Sequence, residues 1–111
     1  MEKSSFEPGN KFRLTESADY STDGIVSKRI LDRPVGNITL FAFDEGQKLS
    51  EHTAPFDAMV QVIEGKGEIV ISGKSFLLEA GKSIIMPASI PHAVNAVAKF
   101  KMLLTMIKEP A

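Results

Sequence analysis

Two histidines, His52 and His92, are the only imidazoles in the chain, and cysteine is absent. That pair narrows the available chemistry. Without a thiol there is no thiolate nucleophile, no thiolate metal ligand and no disulfide framework. What remains is neutral imidazole, a good ligand for Zn, Ni, Cu, Fe or Mn and an equally good hydrogen-bonding grip on an organic molecule. Other catalytic constellations lack their residues. No glycine-rich phosphate loop runs into a helix, and no Gly-x-Ser-x-Gly elbow occurs. Asp44-Glu45 and Asp19/Asp23 read as solvated turn residues rather than acid/base pairs. Tyr20, the only tyrosine, sits in Ala18-Asp19-Tyr20-Ser21 and reads as a surface or interface residue in a loop.

The elements that must position the histidines are short β segments separated by Gly, Pro, Asn and Asp. Lys11 to Glu16 alternates, with Phe12 and Leu14 on one face. Gly24 to Leu31 follows the turn cluster Ser21-Thr22-Asp23-Gly24. Asn37 to Phe43 is apolar on both faces, as a strand inside a sandwich is, and ends at Asp44-Glu45-Gly46. Ala58 to Ile63 stops at Glu64-Gly65. Lys66 to Ile71 and Ser75 to Leu78 flank Ser72-Gly73-Lys74, a tight hairpin turn. Ser83 to Met86 ends at Pro87, then come His92 to Val97 and Phe100 to Ile107, with Phe100, Met102, Leu104 and Met106 on one face. Eight or more such strands and no convincing helix predict a sandwich or barrel. Periodicity alone does not separate this from an immunoglobulin-like sandwich.

Size and charge bound the rest. A chain of 111 residues holds one core. The expected organisation is a loose arm over residues 1–10, ending in Pro8-Gly9-Asn10, and one domain over 11–111. The formal net charge is −1 with acids and bases interleaved, which lacks the basic footprint of a nucleic-acid binder or a membrane-surface patch. No apolar run has membrane length and no signal peptide is evident, so a cytoplasmic location is expected. Ile25, Val26, Ile30 and Leu31, with Phe6 and Phe12, exceed what one small barrel buries. A homodimer covering them is therefore expected.

Two punctuated stretches carry a family resemblance. In the first, Gly46, His52 and Gly65 match a Gly, five residues, His, one, His, three or four, Glu, six, Gly pattern. Ala54 holds the second-His slot and Ala58 the Glu slot. In the second, Gly81, Pro87 and His92 match Gly, five residues, Pro, one, Gly, two, His, three, Asn. Ser89 replaces the Gly and Ala96 the Asn, with Asn95 one position early. Together they resemble the two motifs of small single-domain cupins, of the RmlC-like jelly-roll type. The resemblance implies an all-β, double-stranded β-helix barrel over nearly the whole chain.

In metal-containing cupins the residues of these slots point into the barrel and hold one divalent cation. Here two of the four slots are alanine. The resemblance implies at most a weakly bound Zn, Ni, Mn, Fe or Cu on His52 and His92, with Asp57 as a substitute oxygen donor and Glu51 and Gln61 as fallbacks. Strand alternation turns Asp57 inward only if the chain bends at Pro55-Phe56. The other reading makes the histidines polar groups in an apolar cavity. Its further candidate lining is Gln61, Met86, Met102 and Phe41 (or Leu40), then Val60, Val62, Val94, Leu104 and Met106. Three functions follow: a small-molecule binding module, a metal-dependent enzyme of dioxygenase or isomerase type, and a structural dimeric scaffold. The alanines count against the second and the histidines against the third, so small-molecule binding is expected.

Overall fold

A computed structural model describes residues 6–109 of the chain. Of the expected arm, residues 1–5 lie outside the described residues. A single 3₁₀ turn, Leu14–Glu16, precedes eight strands: β1 (Ile25–Arg33), β2 (Gly36–Phe43), β3 (Lys48–His52), β4 (Ala58–Ile71), β5 (Lys74–Glu79), β6 (Ser83–Met86), β7 (His92–Asn95) and β8 (Phe100–Ile107). All pairings are antiparallel. The order β1-β2-β8-β4-β7-β3, with β5 and β6 also on β4, makes an all-β jelly-roll barrel. The fold is the expected one.

β4 joins the two layers. Ala58 to Val62 pair with β6 or β8, whereas Lys66 to Ile71 pair with β5 and β7. The sequence suggested two strands here, broken at Glu64-Gly65, but the chain runs through as one bent strand. A register shift between Val62 and Glu64 against β8 marks the corner. Gly65 follows at φ +76, and a Cβ there would stand 2.1 Å from the Lys99 carbonyl oxygen. Only glycine permits both the left-handed backbone and that approach.

Two apolar clusters hold the barrel. Inside, Phe43 and Phe100 are fully buried and stack at 4.7 Å, with Val60, Val62, Ile69, Val94 and Met102 around them. Outside, Leu40 and Ala42 on β2 pack under Ala18, with Tyr20, Val26, Ile30 and Leu103 alongside. β2 is apolar on both faces because it lies between these clusters. At the hairpin, Ser72 and Gly73 take φ 51 and 81, the pair of positive angles that closes a two-residue turn.

The strand expected over Lys11 to Glu16 is instead the 3₁₀ turn, because no neighbouring strand satisfies its backbone. Ser17 Oγ donates to the Arg13 carbonyl at 2.6 Å, and Lys101 Nζ donates to that of Thr15 at 2.5 Å. β3 had no strand expectation, and β7 ends at Asn95 rather than Val97. Most of the apolar excess assigned to a partner is covered within the chain. Ile25 packs on the inner cluster and Val26 and Ile30 on the outer one; Phe6 meets Phe12 edge to face at 4.9 Å, though Phe12 stays exposed. Leu31 remains exposed at 40% and Val35 at 61%.

Candidate functional site

His52 closes β3 and His92 opens β7, and they are direct cross-strand partners. Their rings meet edge to face with centroids 4.4 Å apart. The juxtaposition depends on a bulge. Leu49 pairs with Val94 and His52 with His92, so three residues of β3 oppose two of β7. In a regular strand, residues three apart face opposite ways. The extra residue returns His52 to the face that Leu49 shares with the cavity.

The protonation pattern follows from the surroundings. His52 Nδ1 donates to the Ser50 carbonyl at 2.7 Å, and His92 Nδ1 donates to that of Ile90 at 3.2 Å. Both Nε2 atoms are then lone-pair acceptors, and they stand 3.2 Å apart. With both rings neutral no proton lies between them. Burial pushes the pKa of His92 below its ordinary value, and the neighbouring His52 adds to this against the carbonyl of Ile90. With both rings neutral the pair presents two converging lone pairs, which a proton, a ligand O–H or N–H, or a cation satisfies. The separation is that of neighbouring ligands on one cation, whose bonds to imidazole run about 2.0–2.1 Å.

A cavity of about 140 Å³ opens beside the pair, lined by Leu49, His52, Ala54, Ala58, Met86, His92, Val94, Met102, Leu104 and Met106. The lining has no charged carboxylate or amine. Ala54 and Ala58 both border it, leaving open the space that larger residues would fill. Of the candidate lining residues, Met86, Val94, Met102, Leu104 and Met106 border it.

Other expected residues lie elsewhere. Gln61 is not in the lining: Val60 and Val62 on either side face the inner cluster, so alternation turns Gln61 to the outer face, opposite Leu103. Phe41 packs on the inner core against Phe43 at 5.8 Å and is not in the cavity lining, although its cross-strand partner Met102 is. Asp57 Oδ1 accepts the Ala88 amide at 2.8 Å, and Asp57 borders a separate surface cleft with Pro55, Phe56 and Glu109. Its carboxylate staples the two loops at the cavity mouth, beside the Ser89 amide donating to the Ala54 carbonyl at 2.7 Å. Glu51 is exposed and outside the lining. Asn95 donates to Glu68 at 2.9 Å on the face opposite His92 and Val94. Among the described residues no group of three or more His, Cys, Asp or Glu is placed to hold a metal. The donor set fits a cation at two positions, with water or the ligand completing the shell.

Sequence reasoning missed a second polar cluster, on the outer face. Tyr20 is half-buried, its hydroxyl donating to Glu64 Oε2 at 2.6 Å. Lys101, only 6% exposed, stands 3.8 Å from that oxygen and 4.9 Å from the Tyr20 ring centre. Burial and the Glu64 carboxylate raise the pKa of the Tyr20 phenol. The cluster pins the segment before β1 across the barrel. A lysine in an otherwise alternating strand, Phe100-Lys101-Met102, is the signal that marks it.

The chain resembles several solved structures. A conserved protein of unknown function from Streptococcus pyogenes is 37% identical, with 95% of this chain and 92% of that one aligned and a TM-score of 0.89. A cupin 2 conserved barrel domain protein from Leptotrichia buccalis is 42% identical over 87% of this chain, which spans 47% of that protein, with a TM-score of 0.85. A salicylate 1,2-dioxygenase from Pseudoaminobacter salicylatoxidans shares the fold at 20% identity and a TM-score of 0.71, over 76% of this chain and 26% of the enzyme. Among curated protein sequences nothing matches. Residues 39–108 match the family model of the cupin domain, and with the punctuation glycines, the bent β4 and the paired histidines in place, the chain belongs to the cupin family.

Proposed function

We propose that the cavity binds a small, largely apolar molecule whose polar end is gripped by His52 and His92. The observation that carries this reading is the pair of converging Nε2 lone pairs at the edge of an uncharged cavity. Acceptors held this close, with no proton between them, take a donor from outside the protein; exposed His52 opens the pair to it, and buried His92 favours a ligand that fills the cavity as well. The apolar walls set the rest of the ligand. An engineered apolar cavity of about 150 Å³ admits benzene, so a single ring bearing one hydroxyl matches both the volume and the polarity.

Phenol is the probe. Calorimetric titration of metal-free protein is expected to show saturable one-to-one binding with a Kd of about 0.1–1 mM, or about 4–5.5 kcal/mol. Toluene, lacking the donor, is expected to bind more weakly, and His52→Ala should bring phenol down to the toluene level. Absence of saturable binding by either compound in folded protein would overturn the reading.

A second reading, a divalent-metal enzyme of dioxygenase or isomerase type, draws on the same 3.2 Å separation. A bound cation would act as a Lewis acid on a ligand oxygen. His52 and His92 would hold it, which is fewer protein ligands than the three usual in catalytic sites. Likeness to the dioxygenase supports the fold alone. Metal content of freshly purified, chelator-free protein tests this reading.

A further inference from the structure

From the donors bordering the cavity we infer that the site takes a soft monovalent cation, Cu(I), on the two imidazoles together with methionine sulfur. The inference shares with that reading only the cavity and the two imidazoles as a ligand grip, and goes beyond it in giving them a cation as a further ligand. Ala58 has Met86 as its partner on β6 and Met106 as its partner on β8. The three side chains therefore form one row across the barrel wall, and all three line the cavity that His52 and His92 border. Neighbouring strands stand about 4.8 Å apart, so the strands of the two methionines are about 10 Å apart and only the Ala58 methyl lies between their side chains. Met102 borders the same cavity.

Two physical arguments select the cation. Every donor in the lining is neutral, imidazole nitrogen or thioether sulfur, and no carboxylate is present to offset a double charge. Bringing a charge out of water is costly, and the cost rises steeply with its magnitude. A monovalent ion suits such a cavity better than a divalent one. Thioether is a soft ligand that selects Cu(I), while imidazole serves copper as readily as zinc. Methionine is also flexible, so its sulfur can turn from the cavity wall toward an ion held on the imidazoles. The arrangement is thus poor for Mn(II) or Mg(II), indifferent for Zn(II) and well matched to Cu(I).

The test is an anaerobic titration of metal-free protein with Cu(I) buffered by bicinchoninate, alongside a Zn(II) titration, with X-ray absorption on the copper-loaded protein. One Cu(I) per chain is expected, with sulfur as well as nitrogen in its shell. Met86→Leu with Met106→Leu keeps side-chain volume and is expected to weaken Cu(I) at least about tenfold while leaving Zn(II) within about twofold. Unchanged Cu(I) affinity in the folded double variant, or a shell of nitrogen and oxygen only, overturns the inference. Should the double variant fail to fold, the copper shell of the unsubstituted protein decides. If Cu(I) does not bind while phenol does, this inference falls and the cavity reading stands. If neither binds to folded protein, both fall.

Discussion

Gly65→Ala should be far more damaging than Gly81→Ala, although both glycines occupy left-handed backbone, at φ +76 and +95. Forcing a Cβ into that region costs about 1–2 kcal/mol at either position. The surroundings then separate them. At 81 nothing lies within 4 Å of the added atom, whereas at 65 it would meet the Lys99 carbonyl oxygen at 2.1 Å and Cα and Cβ of Phe100 at 2.9 Å. The first two are backbone atoms entering β8 and the third is bonded directly to it, so no flexible side-chain end can yield. Overpacking of this kind adds about 1–3 kcal/mol, for a total near 2–5 kcal/mol at Gly65. In a domain this size each kcal/mol shifts the Tm by about 4–8 °C. The expected losses are therefore about 8–40 °C at Gly65 and about 4–16 °C at Gly81. Thermal melts followed by far-UV circular dichroism read both. The consequence reaches the site, since this corner carries β4 from Ala58 in the cavity wall to Ile71, the cross-strand partner of His92. Equal destabilisation by the two substitutions would show that backbone conformation alone requires Gly65, and the close-approach argument would fail.

Further expectations follow from the same geometry. Installing Ala54→His with Ala58→Glu should convert a two-imidazole site into one with four protein ligands and give tight Zn(II), Ni(II) or Mn(II) binding; no gain of affinity in a folded double variant would mean that the two slots are misplaced. Because the folded state holds the pKa of His92 below its unfolded value, unfolding takes up a proton, so this contribution is complete above about pH 6.5 and falls away as the pH drops toward the lower folded value. Urea midpoints measured between pH 8 and 5 should therefore fall, and fall less in His92→Gln; a midpoint indifferent to pH over that window would count against a buried neutral imidazole. Exposed Leu31 and Val35 on and beside edge strand β1, with Ile107 on β8, leave an apolar margin that a second copy is expected to cover. Light scattering should report a dimer, and a monomer at micromolar concentration would refute it.

Much of the fold was legible in the sequence because its determinants are local. Turn residues end strands at Ser72-Gly73, Asp44-Glu45-Gly46 and Ala80-Gly81, whereas at Glu64-Gly65 they only bend β4. Period-two alternation placed Phe100, Met102, Leu104 and Met106 on one face, and the last three line the cavity. The Lys11 to Glu16 segment alternates equally well yet forms no strand. A strand exists only where a neighbour accepts its backbone hydrogen bonds, and sequence pattern does not reveal the neighbour.

What the sequence by itself determined is the pair of imidazoles, the absence of any thiol, and the small residues at 54 and 58 that leave room beside them. Only the tertiary structure decided how these meet. The bulge in β3 reverses the parity of alternation between Leu49 and His52 and so brings His52 against His92. The corner in β4 lets one strand wall the cavity at Ala58 and still pair with β7 at Ile71. The same non-local constraints turned Gln61 outward, gave Phe41 to the core and spent Asp57 on the Ala88 amide. A bulge is one residue in one strand measured against a partner dozens of positions away. Until that partner is in place, alternation cannot say which way a side chain faces.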